Sequence, residues 1–299
     1  MRINESSETT RGVAFGIAAY AMWGCFPLFF ALFDGVPAYE VLVHRILWSC
    51  VFLMLVISLL RRWQPVTAAL ANPSGLGRVA LCAVLIAINW GLYIYAVETK
   101  HVLQASLGYF LTPLINVALG VLILRERMAR LQVVSVLLAG VGIMIQIVML
   151  ASVPWISLIL AVSFGCYGLV RKQIVLDGLS GLFVETLILL PIALLAFGWL
   201  SASGASNFLV EGNTLLLIAC GAVTAVPLLA FAGAARRLRL STVGFLMYIN
   251  PTLQFLIALF VFNEPLNSVQ LISFITIWIA LALYSWSAWQ GSRAVEQRI

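Results

Sequence analysis

Charged side chains are scarce in this sequence: they make up 9% of its 299 residues, whereas hydrophobic residues make up 63%. Soluble globular domains average about 25% charged residues, so this composition excludes a soluble enzyme or binding domain. Apolar runs of roughly 20 residues recur from end to end, and that length crosses a ~30 Å hydrocarbon core as a helix. The runs lack the polar–apolar alternation of barrel strands. We therefore predict an all-α, polytopic membrane protein.

Motifs for nucleotide-driven or hydrolytic chemistry are also missing. The sequence has no Walker A loop, no HExxH and no GxSxG, so ATP-driven transport, zinc proteolysis and serine hydrolysis have no support. Its five cysteines all fall in apolar runs, without a CxxC or a Cys/His cluster. We interpret them as small buried hydrophobic residues. We expect no metal, no cofactor and no enzymatic activity.

The apolar runs delimit ten membrane spans. The polar, partly acidic residues 1–11 do not resemble the basic start of a signal peptide, so the first run is interpreted as a retained span. The longest connection, residues 61–78, is predicted to be an irregular loop because Pro, Asn and Gly interrupt it. The predicted spans are residues 12–33, 37–60, 79–98, 103–124, 129–149, 154–172, 181–201, 214–235, 240–262 and 266–289.

Basic residues fall mainly in alternate connections between the spans. With a cytoplasmic N-terminus, fifteen of the seventeen Lys and Arg residues lie on the cytoplasmic side, and Arg45 and Lys100 are the exceptions. The even number of spans then places both termini in the cytoplasm. This asymmetry explains the net charge of +6, so a nucleic-acid partner is not expected.

The two halves of the chain resemble each other. A shift of 138 residues aligns Pro113, Glu126 and Gln132 with Pro251, Glu264 and Gln270. Because each half contains an odd number of spans, the second copy must enter the membrane from the opposite side. Such inverted repeats are typical of secondary transporters, which bind substrate near the midplane between the halves. We predict one five-helix repeat at 1–150, a second at 151–289, and a cytoplasmic tail at 290–299.

Several segments carry a family resemblance that covers essentially the whole chain. The stretches NWGLYIYAV, ASLGYFLTPL, LRERM, FGCYGLVRK and GLFVETLILLP resemble the RarD-type branch of the EamA transporters, in the drug/metabolite transporter superfamily. The resemblance implies ten helices in a 5+5 inverted arrangement in a bacterial inner membrane, exporting or exchanging small organic molecules. Members are often labelled chloramphenicol-sensitive or chloramphenicol-resistance permeases, but no residue here identifies an antibiotic as substrate.

Three ionisable residues interrupt the second span. Glu40, His44 and Arg45 share one face of the helix, and Arg45 lies eight residues from Pro37, about 12 Å deep. A charge near the membrane centre costs roughly 2.5–3.5 kcal/mol, so a partner or water is expected there. We predict that His44 and Arg45 line a polar cavity. The alternative is that Glu40 and His44 reach outward to solvent while Arg45 pairs with a helix-end carbonyl.

Glu185 is the complementary acid in the seventh span. It is the only acidic residue well inside a span of the second half, and we predict an Arg45–Glu185 pair between the halves. A carboxylate that alternates between arginine, a proton and substrate could couple export to proton entry, and His44 could titrate near neutral pH. A permanent structural ion pair is the alternative.

Aromatic and small polar residues supply the remaining candidates for the site. They suit a moderately apolar organic substrate, although core filling and tight helix packing are the alternatives. Pro113 and Pro251 are candidate hinges, because a proline within a span lets the helix bend. The candidates for the pocket are Trp23, Asn89, Trp90, Tyr93, Ser106, Tyr109, Asn116, Tyr167 and Tyr248. Glu126 and Glu264, which each precede a span, are interpreted as N-terminal caps of the helices that follow them.

The sequence favours a secondary transporter that moves small organic molecules by alternating access, with export as the expected direction and proton coupling left open. Two other classes stay open: a membrane-embedded enzyme that uses Glu185, His44 and Glu40 as acid–base groups, and a passive channel or sensor. The repeat favours the transporter, because catalysis gives no reason to duplicate and invert a bundle. The sequence leaves monomer and homodimer open.

Overall fold

The computed structural model describes residues 2–125, 129–238 and 240–296. Within these ranges all regular secondary structure is helical. The helices are α1 (Arg2–Gly24), α2 (Phe26–Phe30), α3 (Ala38–Leu59), α4 (Trp63–Leu70), α5 (Pro73–Glu98), α6 (Val102–Leu124), α7 (Arg130–Leu150), α8 (Trp155–Arg171), α9 (Gly178–Ala202), α10 (Asn213–Ala235), α11 (Leu240–Leu246), α12 (Ile249–Phe260) and α13 (Ser268–Glu296).

The helices confirm the prediction of a multi-pass helical membrane protein. In the described part of the chain, nine helical segments are long and apolar enough to cross a membrane, and α8 is a shorter apolar helix of 17 residues. Two of the nine segments are interrupted. The first runs through α1 and α2 with a break at Cys25, and another combines α11 and α12 with a break at Met247–Tyr248.

The connection at residues 61–78 corrects one prediction, because most of it is helical. It contains α4, and α5 begins at Pro73, six residues before the predicted start. Pro73 occupies the first turn of α5, where the backbone N–H that proline lacks has no helical acceptor anyway. Asn72 is the N-cap, and its side chain accepts a hydrogen bond from the Gly75 N–H at 3.3 Å. The residues interpreted as breakers therefore start a helix.

Glu264 caps a helix, but not the one predicted. Its carboxylate accepts hydrogen bonds from the backbone N–H groups of Val102 and Leu103, at 2.6 and 2.8 Å, and so caps α6. The start of α13 is already capped by Asn267, whose side chain accepts from the Gln270 N–H at 2.8 Å. Burial raises the pKa of Glu264, although the two N–H donors act in the opposite direction. Glu126, its predicted counterpart, lies outside the described residues.

The helices of the first half pack mainly against those of the second. Helix α3 contacts α9 and α10, α5 contacts α8 and α9, and α6 contacts α8 and α12. Helix α1 packs on α10 and α12, and α7 packs on α13. The protein core therefore lies between the halves and not within either one.

Glycine makes the closest of these helix crossings possible. A Cβ atom at Gly221 in α10 would overlap the backbone carbonyl of Trp48 in α3, so α3 and α10 meet through backbone. By contrast, Gly140 in α7 is exposed and has no other atoms within 4 Å of the position of a Cβ. The two glycines thus offer a crowded position and an open one in membrane-length helices.

The substitution Gly221→Ala should push α3 away from α10 and destabilise the protein by about 1–3 kcal/mol, the usual cost of overpacking. Purified protein in detergent should show this as a thermal unfolding midpoint several degrees below that of the unmodified chain. Gly140→Ala is the matched control and should leave the midpoint unchanged or slightly higher. Equal midpoints for both variants would contradict the close α3–α10 crossing.

Candidate functional site

A cavity of about 510 Å³ lies between the two halves. Nine aromatic side chains make most of its wall, and polar side chains from both halves complete it. The aromatic residues are Tyr20, Trp23, Phe26, Trp90, Tyr93, Tyr109, Phe164, Tyr167 and Phe231. The polar residues are Arg45, Asn89, Thr112, Arg171, Thr224, Asn250 and Gln254.

The cavity brings together many of the candidates from the sequence. Seven of the predicted pocket residues belong to its lining, as does Pro251. The seven are Trp23, Arg45, Asn89, Trp90, Tyr93, Tyr109 and Tyr167. They come from five different spans, so only the packing of the halves places them around one space.

Arg45 lies in the cavity wall on a platform of aromatic rings. Its side chain is 4% exposed, and its Nε–H donates a hydrogen bond to Thr224 Oγ1 at 3.1 Å. The guanidinium carbon is 4.1 Å from the centroid of the Trp90 ring, and 5.3 and 5.5 Å from those of Phe30 and Phe26. Desolvated cation–π contacts are worth about 2 kcal/mol or more, so the rings offset part of the cost of burial.

The predicted pair of Arg45 with Glu185 is not formed in this structure. Each residue lies seven positions after the start of its helix, Arg45 in α3 and Glu185 in α9. Successive spans cross in alternating directions, so α3 and α9 start at opposite faces of the membrane. Seven residues of helix rise about 10 Å, which leaves the two groups at different depths in a ~30 Å core.

Glu185 instead belongs to a cluster beside the cavity, formed with Tyr167 and Arg171. The Tyr167 hydroxyl donates to Glu185 Oε2 at 3.2 Å, and Arg171 Nε lies 3.8 Å from Oε1. Glu185 itself is fully buried, while Tyr167 and Arg171 line the cavity. Arg171 also donates to the carbonyls of Leu176 and Asp177, at 2.9 and 2.7 Å.

Sequence reasoning missed Arg171 because its position at the end of a span matched the positive-inside pattern. The signal that could have found it is Gly181, one helical turn before Glu185 in α9. A Cβ atom at Gly181 would overlap the Arg171 guanidinium. A glycine next to a buried acid therefore marked the space for a large partner.

Glu40 and His44 neither line the cavity nor reach solvent, which corrects both interpretations of them. Glu40 is fully buried and accepts hydrogen bonds from the Asn207 backbone N–H at 2.6 Å, the Asn207 side-chain amide at 2.7 Å and the Ser206 hydroxyl at 3.1 Å. His44 is 1% exposed and stacks on Phe208, with ring centroids 4.8 Å apart. Both residues fasten the α9–α10 connection, residues 203–212, onto α3.

The remaining candidates have contacts outside the wall or within the helix packing. Ser106 donates to the Pro251 carbonyl at 2.8 Å, and Tyr248 lies 3.3 Å from the Ser285 hydroxyl. Asn116 is exposed, and its side chain lies against α8. Of the hinge candidates, Pro113 lies within the continuous helix α6, whereas Pro251 follows the break between α11 and α12 closely.

One end of the bundle is closed by buried carboxylates. Glu40 holds the α9–α10 connection, Glu264 holds the start of α6, and Glu98 accepts from the Ala38 N–H at the start of α3, at 3.1 Å. Alternating crossing directions put all three contacts at the same end. The cavity reaches the opposite end, where Leu176 and Gly178 of the α8–α9 connection belong to its lining. The cavity therefore approaches one face of the membrane only.

Comparisons with known proteins agree with a cavity enclosed by membrane helices. Residues 10–148 match the EamA-like transporter family. The chain is 43% identical over 282 residues to Protein RarD of Escherichia coli strain K12, covering 94% of this chain and 95% of that protein. It is 31% identical over 282 residues to the chloramphenicol-sensitive protein RarD of Pseudomonas aeruginosa, covering 93% and 94%. The chain belongs to the EamA-like transporter family, in its RarD-type branch.

A crystal structure of a further protein matches the fold. It superposes with a TM-score of 0.57 on 92% of this chain and 96% of its own length. Sequence identity is 16%, so the likeness concerns the fold alone.

The substitution Glu40→Gln should loosen the α9–α10 connection, because an amide cannot accept from both Ser206 and Asn207 as the carboxylate does. Hydrogen bonds to charged groups contribute about 1.5–3 kcal/mol, so amide hydrogen exchange across residues 203–212 should accelerate roughly 10- to 100-fold. Glu211→Gln, at an exposed position of the same connection, is the control and should change little. Unchanged exchange in the Glu40 variant would contradict the proposed fastening.

Proposed function

We propose that this chain is a secondary transporter of a bacterial inner membrane that exports small organic molecules by alternating access between its two five-helix halves. The observation that carries the proposal is the aromatic cavity between the halves, which reaches one end of the bundle and is closed at the other. Family membership supports transport as the activity. The substrate, the direction and the mechanism are the content of the proposal.

Helix packing supports an inverted repeat as the basis of the mechanism. Exchanging each helix for its counterpart 138–141 residues away turns the α1–α12 contact into α8–α6, α1–α10 into α8–α5, and α3–α10 into α9–α5. All six of these pairs pack together. The cavity wall follows the same relation, because Trp90, Tyr93 and Tyr109 face the cavity together with Leu228, Phe231 and Met247, each 138 residues later. A twofold relation of this kind gives two equivalent states, each open to one face.

Charge asymmetry supports the orientation. Arg171 lies at the end of the bundle that the cavity approaches, and the basic residues predict that this end is cytoplasmic. The carboxylate contacts then close the outer face. The structure corresponds in this proposal to an inward-facing state that takes up substrate from the cytoplasm, as export requires.

The cluster of Glu185, Tyr167 and Arg171 is the proposed site of proton coupling. Its carboxylate is fully buried, yet the nearest cationic atom is 3.8 Å away, longer than a tight ion-pair hydrogen bond. Protonation of Glu185 would release Arg171, which also holds the α8–α9 connection at the open end. A proton could in this way change the mobility of that end. The alternative remains a permanent structural ion pair.

The competing classes receive less support from the geometry. An acid–base enzyme built from Glu185, His44 and Glu40 would need these groups around one substrate, but His44 and Glu40 contact the α9–α10 connection, away from Glu185. A passive channel would need a path through both faces, and one face is closed by buried contacts. Both observations favour a transporter.

The general test is an efflux assay on a panel of metabolites, with cells that lack the protein compared with cells that overproduce it. The assay is run with and without a proton gradient. Transport predicts that at least one compound leaves the overproducing cells faster. No difference for any compound would contradict export.

The substitution Glu185→Gln should abolish the part of transport that the proton gradient drives. Glutamine keeps the shape of the side chain and can accept from Tyr167, but it cannot gain or lose a proton. In proteoliposomes, exchange of labelled for unlabelled substrate without a gradient should persist. The control Glu211→Gln should keep the response to the gradient, and undiminished pH-dependent transport by the Glu185 variant would rule out the coupling role.

A further inference from the structure

Arg45 is a buried cation without an anionic partner. A guanidinium has five N–H donors, and among the described residues the one hydrogen bond that Arg45 makes is from Nε–H to Thr224. No described carboxylate lies within 4 Å of it, and its other close contacts are the faces of aromatic rings. An uncompensated charge of this kind is costly in a low-dielectric interior. Its remaining donors are available to an anion in the cavity.

The second arginine in the wall provides the contrast. Arg171 has a carboxylate at 3.8 Å and donates to two backbone carbonyls. The same cavity therefore contains one arginine with an acidic neighbour and one without. Its lining includes no aspartate and no glutamate, so the excess positive charge at Arg45 is not balanced within the wall.

Tyr93 supplies a second donor near Arg45. Its side chain is 2% exposed, it belongs to the cavity wall, and its hydroxyl has no hydrogen-bond partner in the described structure. The rings of Tyr93 and Phe30 lie 6.0 Å apart, and the Arg45 guanidinium lies 5.3 Å from the same Phe30 ring. Two unused donors, one charged and one neutral, therefore flank one aromatic ring at the same end of the cavity.

We propose that the cavity binds a small organic anion, with a carboxylate or phosphate group held by Arg45 and Tyr93 and an apolar or aromatic body held by the surrounding rings. The cavity volume of about 510 Å³ falls within the usual range for pockets that bind small molecules. The inference deepens the proposed function, on which it rests for the claim that the bound anion is transported. It specifies the substrate class by charge and by body.

The binding test uses four probes that share a phenyl body and differ in their charged group. They are 3-phenylpropionate, phenyl phosphate, 3-phenylpropanol and 3-phenylpropylamine, titrated against the purified chain and measured by calorimetry and thermal shift. Sodium chloride and phosphatidylglycerol are titrated in parallel, so that an inorganic anion or a lipid headgroup is told apart from a free organic anion.

At least one of the two acids should bind tenfold or more tightly than the alcohol and the amine. Arg45→Gln should remove that preference, whereas Arg45→Lys should retain part of it because the charge remains. Tyr93→Phe, which removes only the hydroxyl, should weaken acid binding about 2- to 10-fold, the effect of one hydrogen bond. Arg62→Gln removes a cation from a partly exposed ion pair with Asp177 and should change nothing.

Absence of an acid preference, or a preference that persists in Arg45→Gln, would overturn the inference, as would an equal effect of chloride or of the lipid alone. Because Arg45→Gln may perturb folding, Tyr93→Phe and Arg45→Lys provide independent tests, and wild-type affinity for the alcohol in both would contradict a simple folding explanation.

Transport measurements separate this inference from the proposed function. Arg45-dependent acid binding without uptake or exchange in proteoliposomes would support the anion site and contradict transport. Transport of a neutral or cationic compound that Arg45→Gln leaves unchanged would support the transporter and contradict the anion site.

Discussion

A guanidinium inside the membrane is the constraint around which the cavity is arranged. Arg45 is placed by α3 at a depth where neither water nor lipid headgroups stabilise it without cost. The chain responds with the ring of Trp90 from α5, two phenylalanines from α2 and a threonine from α10. These partners reduce the cost but provide no counter-charge. The side chains that make the cavity aromatic are thus the same ones that make a buried cation tolerable.

The partners of Arg45 converge because the two halves are packed into each other. Helix α3 lies against α9 and α10 of the second half, with Gly221 allowing backbone contact at the crossing. At one end, carboxylates from α3, α5 and the α12–α13 connection fasten helix starts and a loop. At the other end, Arg171 holds a connection through carbonyls while facing Glu185. The two ends are therefore stabilised by different chemistry, and only the second contains an ion pair beside the cavity.

Much of this arrangement could be predicted from the sequence, and the failures have physical causes. Apolar runs reveal spans because the bilayer demands long hydrophobic helices, and Arg45 was conspicuous as a cation within one of them. The partners of Glu40, Glu185 and Glu264 could not be read in the same way. Each carboxylate bonds to groups that lie on another element, as Glu40 does with Asn207, 167 residues later. The identity of such partners is decided by tertiary packing and not by local pattern.

Local patterns also misled where one residue type has two uses. Pro73 and Asn72 resembled loop residues but start a helix, since both suit a helix N-terminus. Arg171 resembled a topology residue, although its guanidinium folds back onto Gly181. The repeat was detectable because paired positions such as Trp90 and Leu228 face one cavity, so similar demands act on both halves.

The most direct measurement of alternation between the halves is a cross-link at the closed end. In a chain whose five cysteines are replaced, Glu40→Cys and Asn207→Cys are joined by a short bis-methanethiosulfonate reagent, and transport is followed in proteoliposomes. If the closed end must open in every cycle, the cross-link abolishes transport while binding from the open side persists, and reduction restores transport. Full transport by the cross-linked protein would show that this end need not open, and would contradict alternating access.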